Sequence, residues 1–418
     1  MGLIPQRKRP HAEKQKPLDR LANSFPDRLT NRFTNEPAIK PLTHSPRRRL
    51  QLPSQPLSII LCILALLAVA HLIAVMRTTP VQDQLNTPSC ANYLLRLDYT
   101  KIVTLQAGQQ LAAVQLINNV VGGQPATLIQ VDENDTQQKV DAYIYRCTMQ
   151  HGIPELSLLF KQQGLIQGSV EVTTAHTLSI GQLDTTLKPD AGAMLLVPQQ
   201  QNIYREYAWQ NATFQQVIFP GIYPVVSRSE ATAMQDEAND GQMVPWNDPL
   251  ATAEQMAQDL FHWQNSKING TVQDNNGVDA HVLIERKDTR LQVQVSLSRL
   301  IQHDSHGLWF VTGAQTPGIS LDQTQFSSVL TSPLKLQGSI TSTNDPISIT
   351  LFDHTLSPLH IREGDQIHAN NDGTFKGNVI YDNGSLFPNQ TCLLLLQTTP
   401  AADSKDVGYL YLTNLFLH

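Results

Sequence analysis

The tightest grouping of metal-ligating side chains is His303-Asp304-Ser305-His306, two imidazoles and a carboxylate within four residues. Such a group can catch a divalent ion, but a stable site needs a third ligand and an ordered outer shell of hydrogen bonds. It falls between two expected strands and reads as an exposed hairpin loop. Asp132-Glu133-Asn134-Asp135-Thr136 has carboxylate spacing like that of a calcium loop. It lacks the turn glycine and the terminal bidentate glutamate, and reads as an acidic hairpin tip. His281, on an expected strand, and His262, beside Trp263, read as packing residues. Cys147 is a nucleophile by type, with no base obvious near it. Scattered Asp and Glu residues can in principle make a glycosidase pair, yet spacing does not bring two of them together. No G-x-S-x-G elbow, H-E-x-x-H helix or phosphate-cradling glycine loop is present. The expectation is a chain without catalytic residues, cofactor or metal.

Four cysteines exclude a disulfide-dense scaffold, and no pair has the C-x-x-C spacing of a zinc or redox site. Cys90 and Cys147 lie in one segment and form a possible bridge if that segment meets an oxidising exterior. Cys392 then remains as a buried strand residue, and Cys62 sits in an apolar run.

The elements that must hold these residues follow from length and charge. The 418 residues allow two or three domains. Charged residues make up 16% of the chain and hydrophobic ones 41%, against both a disordered and a multi-spanning chain. The net charge of −6 hides an asymmetry, because residues 1–55 carry twelve Lys/Arg and four Asp/Glu. That region is +8 and the remainder −14. Between them, Leu57 to Met76 is a run of 20 residues without a formal charge. As a helix rising 1.5 Å per residue, a run of that length spans the ~30 Å hydrocarbon layer. Arg47, Arg48 and Arg49 precede the run and only Arg77 follows closely, so the N-terminus is expected in the cytoplasm and residues 77–418 outside. The competing account is a signal peptide cleaved after Ala70, because Ala68-Val69-Ala70 resembles an A-x-A site. Recurrent prolines and scattered apolar residues read the first 55 residues as an unfolded basic tail. Membrane lipid is its expected partner, a cytoplasmic protein the alternative. With only Phe25 and Phe33 for stacking, nucleic acid is not expected.

Residues 87–220 read as strands: IVTL (102–105), LAAVQLI (111–117), ATLIQV (126–131), DAYIYRC (141–147), ELSLLF, SVEVTT and AMLLV, separated by turn residues. IYREYAW (203–209) and TFQQVIF (213–219) flank a hairpin turn, and Tyr204, Tyr207, Trp209 and Phe214 are a candidate contact surface. Residues 221–318 read as an α+β module. Ser227 and Glu230 have capping-box spacing, and Asp248-Pro249 starts a helix of about 16 residues with an apolar stripe from Leu250 to Trp263. Three antiparallel strands follow: VDAHVLIERK, TRLQVQVSLSRLI and LWFVTGAQT. A helix on a meander with Gly307-Leu308-Trp309-Phe310-Val311 near its end resembles the nuclear-transport-factor-2-like α+β cone. Residues 319–418 alternate as short strands suited to a β-sandwich. Ser332-Pro333-Leu334-Lys335-Leu336-Gln337-Gly338, the ISITLFD strand and Asp372-Gly373-Thr374-Phe375 resemble the immunoglobulin-like domain of bacterial spore-germination and cell-envelope proteins. That resemblance implies an envelope location and a binding or spacing role, with no catalytic residues to carry over.

The expected fold is mainly β with an α+β module: a single transmembrane helix, an extracytoplasmic β-rich domain and a C-terminal immunoglobulin-like β-sandwich. The expected role is a non-catalytic, single-pass bacterial envelope protein that contacts another envelope protein or a cell-wall polymer. The alternatives are a transmembrane regulator whose basic tail binds a cytoplasmic partner, and a cell-wall hydrolase.

Overall fold

A computed structural model describes residues 89–187, 201–289, 291–322, 329–341, 346–382, 386–398 and 408–418. The expected transmembrane helix from Leu57 to Met76, the arginines 47–49, the basic tail and the AMLLV strand lie outside them. Among the described residues no helix is long and apolar enough to cross a membrane. These residues are mostly antiparallel β-structure.

Two meanders form the first half. Strands β1 (Gln109–Val121), β2 (Gln124–Glu133), β3 (Lys139–Gln150) and β4 (Ile153–Ile166) pair in chain order. Strands β5 (Ser169–Val172), β6 (Leu178–Leu183), β7 (Asn202–Gln210) and β8 (Thr213–Val217) do the same. Alternation sends Ala126, Leu128, Ala142 and Ile144 to one face of the first sheet, where they meet Val170, Leu178 and Ile180 of the second. The opposite face carries Ile129, Val131 and Tyr143, which pack with Tyr99 and Val103. IVTL at 102–105 is not the strand expected. It follows a 3-10 turn at Tyr99–Lys101 and lays Val103 into this core. The sequence reading also missed helix α1 (Cys90–Arg96), capped by Ser89 Oγ, which accepts from the Asn92 N–H at 3.2 Å. Cys90 is joined to Cys147 of β3 with the Cα atoms 5.4 Å apart, which fixes α1 against the sheet beside Leu94.

Helix α2 (Arg228–Asn239) opens on the capping box: Ser227 Oγ accepts from the Glu230 N–H and donates to Glu230 Oε2 at 2.6 Å. Helix α3 (Pro249–Phe261) opens on Asp248, whose carboxylate accepts from the Ala251 N–H at 2.9 Å. It is 13 residues long, shorter than expected, because His262 turns left-handed (φ 55°) and the Trp263 N–H closes back on the Ala257 carbonyl.

Strands β9 (Ile268–Asn275), β10 (Asp279–Arg286), β11 (Leu291–Ser298) and β12 (Phe310–Gln315) form a meander beneath α3. The terminal region adds β13 (Ile319–Leu321), β14 (Leu334–Ile340), β15 (Ile347–Phe352), β16 (Ile361–Glu363), β17 (Gln366–Ile367), β18 (Thr374–Tyr381), β19 (Gln390–Thr398) and β20 (Leu410–Leu417). Its strands do not close on themselves. β20 pairs with β12 (Ala314 opposite Leu412, Gln315 opposite Tyr411), giving one eight-stranded sheet in the order β17-β15-β19-β20-β12-β11-β10-β9. The second sheet of the terminal sandwich, β13-β14-β18-β16, covers part of it. Consequently β19 and β20 are buried on both faces. Leu393, Leu395, Leu410 and Leu412 join the core under α3, while Cys392, Leu394, Leu396 and Tyr411 join the core of the sandwich. Burial of both faces explains why CLLLL is a continuous apolar run and not an alternating one.

Candidate functional site

A cleft of about 690 Å³ lies on the face of the long sheet turned away from α3. Along β11 the alternation is strict. Leu291, Val293, Val295 and Leu297 point into the core under α3, and Gln292, Gln294, Ser296 and Ser298 point the other way. Cross-strand partners on its neighbours form rows, with one-residue register shifts at Gln273 of β9 and Thr312 of β12. One row runs Asp274 (β9), His281 (β10), Ser296 (β11) and Gly313 (β12). The next holds Leu283, Gln294, Gln315 and Tyr411. Thr312 is the extra residue where the β11–β12 register shifts, and with Thr413 it completes the lining. Tyr411 also belongs to the sandwich core, so the cleft ends where the second sheet begins to cover the first.

No lysine or arginine lines the cleft. Its functional groups are amides and hydroxyls with one carboxylate, Asp274, and one imidazole, His281. Aspartate, histidine and serine stand side by side in the first row, the residue types of a hydrolytic triad. The geometry is that of a polar surface. His281 Nδ1 lies 3.4 Å from Ser296 Oγ, longer than an activating contact, and no hydrogen bond joins Asp274 to the imidazole.

A second group of titratable residues sits where β6, β7, α2 and β19 meet, around a void of about 10 Å³ lined by Ser179, Tyr204, Glu206 and Arg228 among others. Glu206 Oε1 accepts from Arg228 Nε at 2.8 Å and from Thr177 Oγ1 at 2.5 Å. Glu230, almost wholly buried on the first turn of α2, has its carboxyl pushed up to about 8 by burial, opposed by the hydrogen bonds at Ser227. The void is too small for a substrate, and this group ties elements together.

His303, Asp304, Ser305 and His306 form an exposed turn. Its Asp304 carboxylate accepts from Gln302 Nε2 and the His306 N–H, both at 2.8 Å, so these bonds occupy it within the loop and hold its carboxyl below the usual range. At the tip between β2 and β3, Lys139 Nζ lies 3.1 Å from Asp135 and 3.7 Å from Glu133. Among the described residues no three His, Cys, Asp or Glu side chains gather as a metal site. Tyr207, Trp209 and Phe214 are half-buried: Phe160 of β4 packs edge-on to Tyr207 and Phe214, and Trp209 edge-on to Phe214. These rings join the two meanders, and Tyr204, also half-buried, lines the small void instead. Leu57, Met76, Arg47, Arg48 and Arg49 lie outside the described residues. Cys392 is buried in β19, and burial raises its thiol.

His281 is thus on an open polar face and not in a packed interior. The sequence reading missed Gln294, Ser296, Thr312, Gln315 and Thr413. The alternation in QVQVSLS was the available signal for the first two. The contribution of β20 comes from about a hundred residues further along the chain, where no local pattern reveals it. The chain matches no protein-family model, no curated protein and no solved structure.

Proposed function

We propose that this chain is a non-catalytic bacterial envelope protein, held by residues 57–76 in the cytoplasmic membrane with its N-terminus inside, which presents a binding surface outside. On this reading residues 319–418 form an immunoglobulin-like sandwich and residues 221–318 a module akin to the nuclear-transport-factor-2-like cone. The observation that carries the reading is the polar cleft between β9 and β20, built jointly by these two regions. It is preformed by a continuous hydrogen-bonded sheet, of a size suited to part of a polymer or small ligand, and lined by groups that recognise through hydrogen bonds. The Cys90–Cys147 bond accords with an oxidising compartment. The partner expected in the cleft is a cell-wall polymer or another envelope protein, and lipid is the partner of the basic tail.

A photoreactive amino acid placed at Gln315, activated in intact cells, tests this reading. Adducts with extracytoplasmic material are expected, and adducts formed exclusively with cytoplasmic proteins would contradict it. Deleting residues 1–45 is expected to leave those adducts unchanged. Their loss in correctly inserted protein would favour a regulator that works through its tail.

A further inference from the structure

Building on the reading of the cleft as a binding surface, we infer that it accepts a short stretch of uncharged glycan laid across strands β9 to β20.

The lining sets the chemistry. A sugar hydroxyl both donates and accepts, and so do the side-chain amide and hydroxyl groups that dominate here. Gln273, Gln294 and Gln315 make no side-chain hydrogen bond among the described residues, so their amides are available to a ligand. The absence of lysine and arginine from the lining disfavours a phosphate-bearing or carboxylate-bearing polymer, which would need paired cations. An extended peptide binds a sheet by adding main-chain hydrogen bonds at a free edge, and that edge is β9 at the margin of the cleft. Across the floor from β10 to β20 the strands are already paired with one another, so a ligand lying there meets side chains.

The dimensions agree. Strands lie about 4.8 Å apart, so crossing from β9 to β20 covers about 19 Å. That strand spacing is close to the length of one pyranose unit, so successive rings can meet side chains from successive strands. At the β12 end of the first row stands Gly313, outside the left-handed region, and a Cβ built there has no atom within 4 Å. A Cβ at that position meets open space, and Gly313 is among the residues that line the cleft. The glycine therefore leaves the floor low for a ligand, at a place where no close neighbour of the Cβ demands its absence.

Gly313→Phe follows as the obstructing variant and Gln294→Ala with Gln315→Ala as the recognition variant. The full chain, held in a detergent without a sugar headgroup, would be titrated by calorimetry and saturation-transfer NMR. The probes are tetramers of β-1,4-linked N-acetylglucosamine, β-1,4-linked glucose and α-1,4-linked glucose. Polygalacturonate and an unstructured hexapeptide serve as the charged and peptide comparisons. The expected result is binding of at least one neutral tetramer, weakened about tenfold or more by the double glutamine variant and by Gly313→Phe, with unfolding midpoints unchanged. Should Gly313→Phe fail to fold, the double glutamine variant decides alone. The inference is overturned if no neutral tetramer binds, if binding survives both variants, or if only the polyanion or the peptide binds. Failure with every sugar, alongside extracytoplasmic adducts at Gln315, would remove the glycan and leave the envelope-binding reading standing. Sugar binding by a chain whose adducts are all cytoplasmic would do the reverse.

Discussion

At the scale of single residues, Glu230 makes the sharpest prediction. Its ordinary carboxyl value is 4.5, and burial raises it to about 8 in the folded chain. Below the ordinary value both folded and unfolded forms hold the proton, and the group contributes no pH dependence. Between the two values the unfolded form ionises while the folded form keeps its proton, so stability falls as pH rises and levels off above about 8. Denaturation midpoints at pH 5 and pH 8 should show this decline, and Glu230→Gln should flatten it while still accepting from the Ser227 hydroxyl. An unchanged slope in that variant would show that Glu230 is not the group responsible. The turn between β7 and β8 gives a second prediction. Asn211 and Ala212 are both left-handed (φ 49° and 63°), as a two-residue hairpin loop requires, and alanine carries a steric cost there that glycine does not. Ala212→Gly should raise stability by about 1 kcal/mol in chemical denaturation, and a loss would mean that the turn has another conformation.

At the scale of elements, α1 depends on its covalent tie. It has only 7 residues, short of the length at which isolated helices persist. The Cys90–Cys147 bond closes a sequence separation of 57, so reduction or Cys90→Ala with Cys147→Ala should cost about 4 kcal/mol by loop closure. Denaturant titration with and without reductant measures this, and amide exchange should rise first in α1. The two-sided burial of β19 predicts that Leu394→Ala, in the sandwich core, and Leu395→Ala, in the core under α3, each cost about 3 kcal/mol. A strand with one wet face would instead tolerate one of the two.

Much of this was legible in the sequence where the signal is local. The capping box at Ser227, the Asp248-Pro249 helix start and the hairpin around Asn211 depend on neighbours within a few residues, and each stands where its spacing put it. IVTL was misread because a short apolar run fits a strand or a packed turn equally well, and only Tyr99 and the sheet beneath decide between them. The cleft was least legible. His281 and Ser296 are fifteen residues apart and meet through strand register, while Tyr411 and Thr413 arrive from the end of the chain. Aromatic composition pointed to Tyr207, Trp209 and Phe214 as a contact surface, but large rings are also what two sheets use to pack together, and here they do so.

At the scale of the whole molecule, the β12–β20 pairing makes the α+β region and the terminal sandwich share strands and cores. Arg205 and Gln216 of the second meander add hydrogen bonds to the Pro388 and Asn389 carbonyls before β19. Residues 221–418 should therefore unfold in a single step, with Leu394→Ala and Leu395→Ala lowering the same transition. Two separated transitions would show that the shared sheet does not couple the regions. The central claim is that this folded portion stands outside the cytoplasmic membrane. Met243 is fully exposed, so Met243→Cys provides a reporter that does not disturb the core. In spheroplasts with an intact cytoplasmic membrane, a membrane-impermeant maleimide should label that cysteine as fully as it does after lysis. Labelling that appears only after lysis would contradict the account.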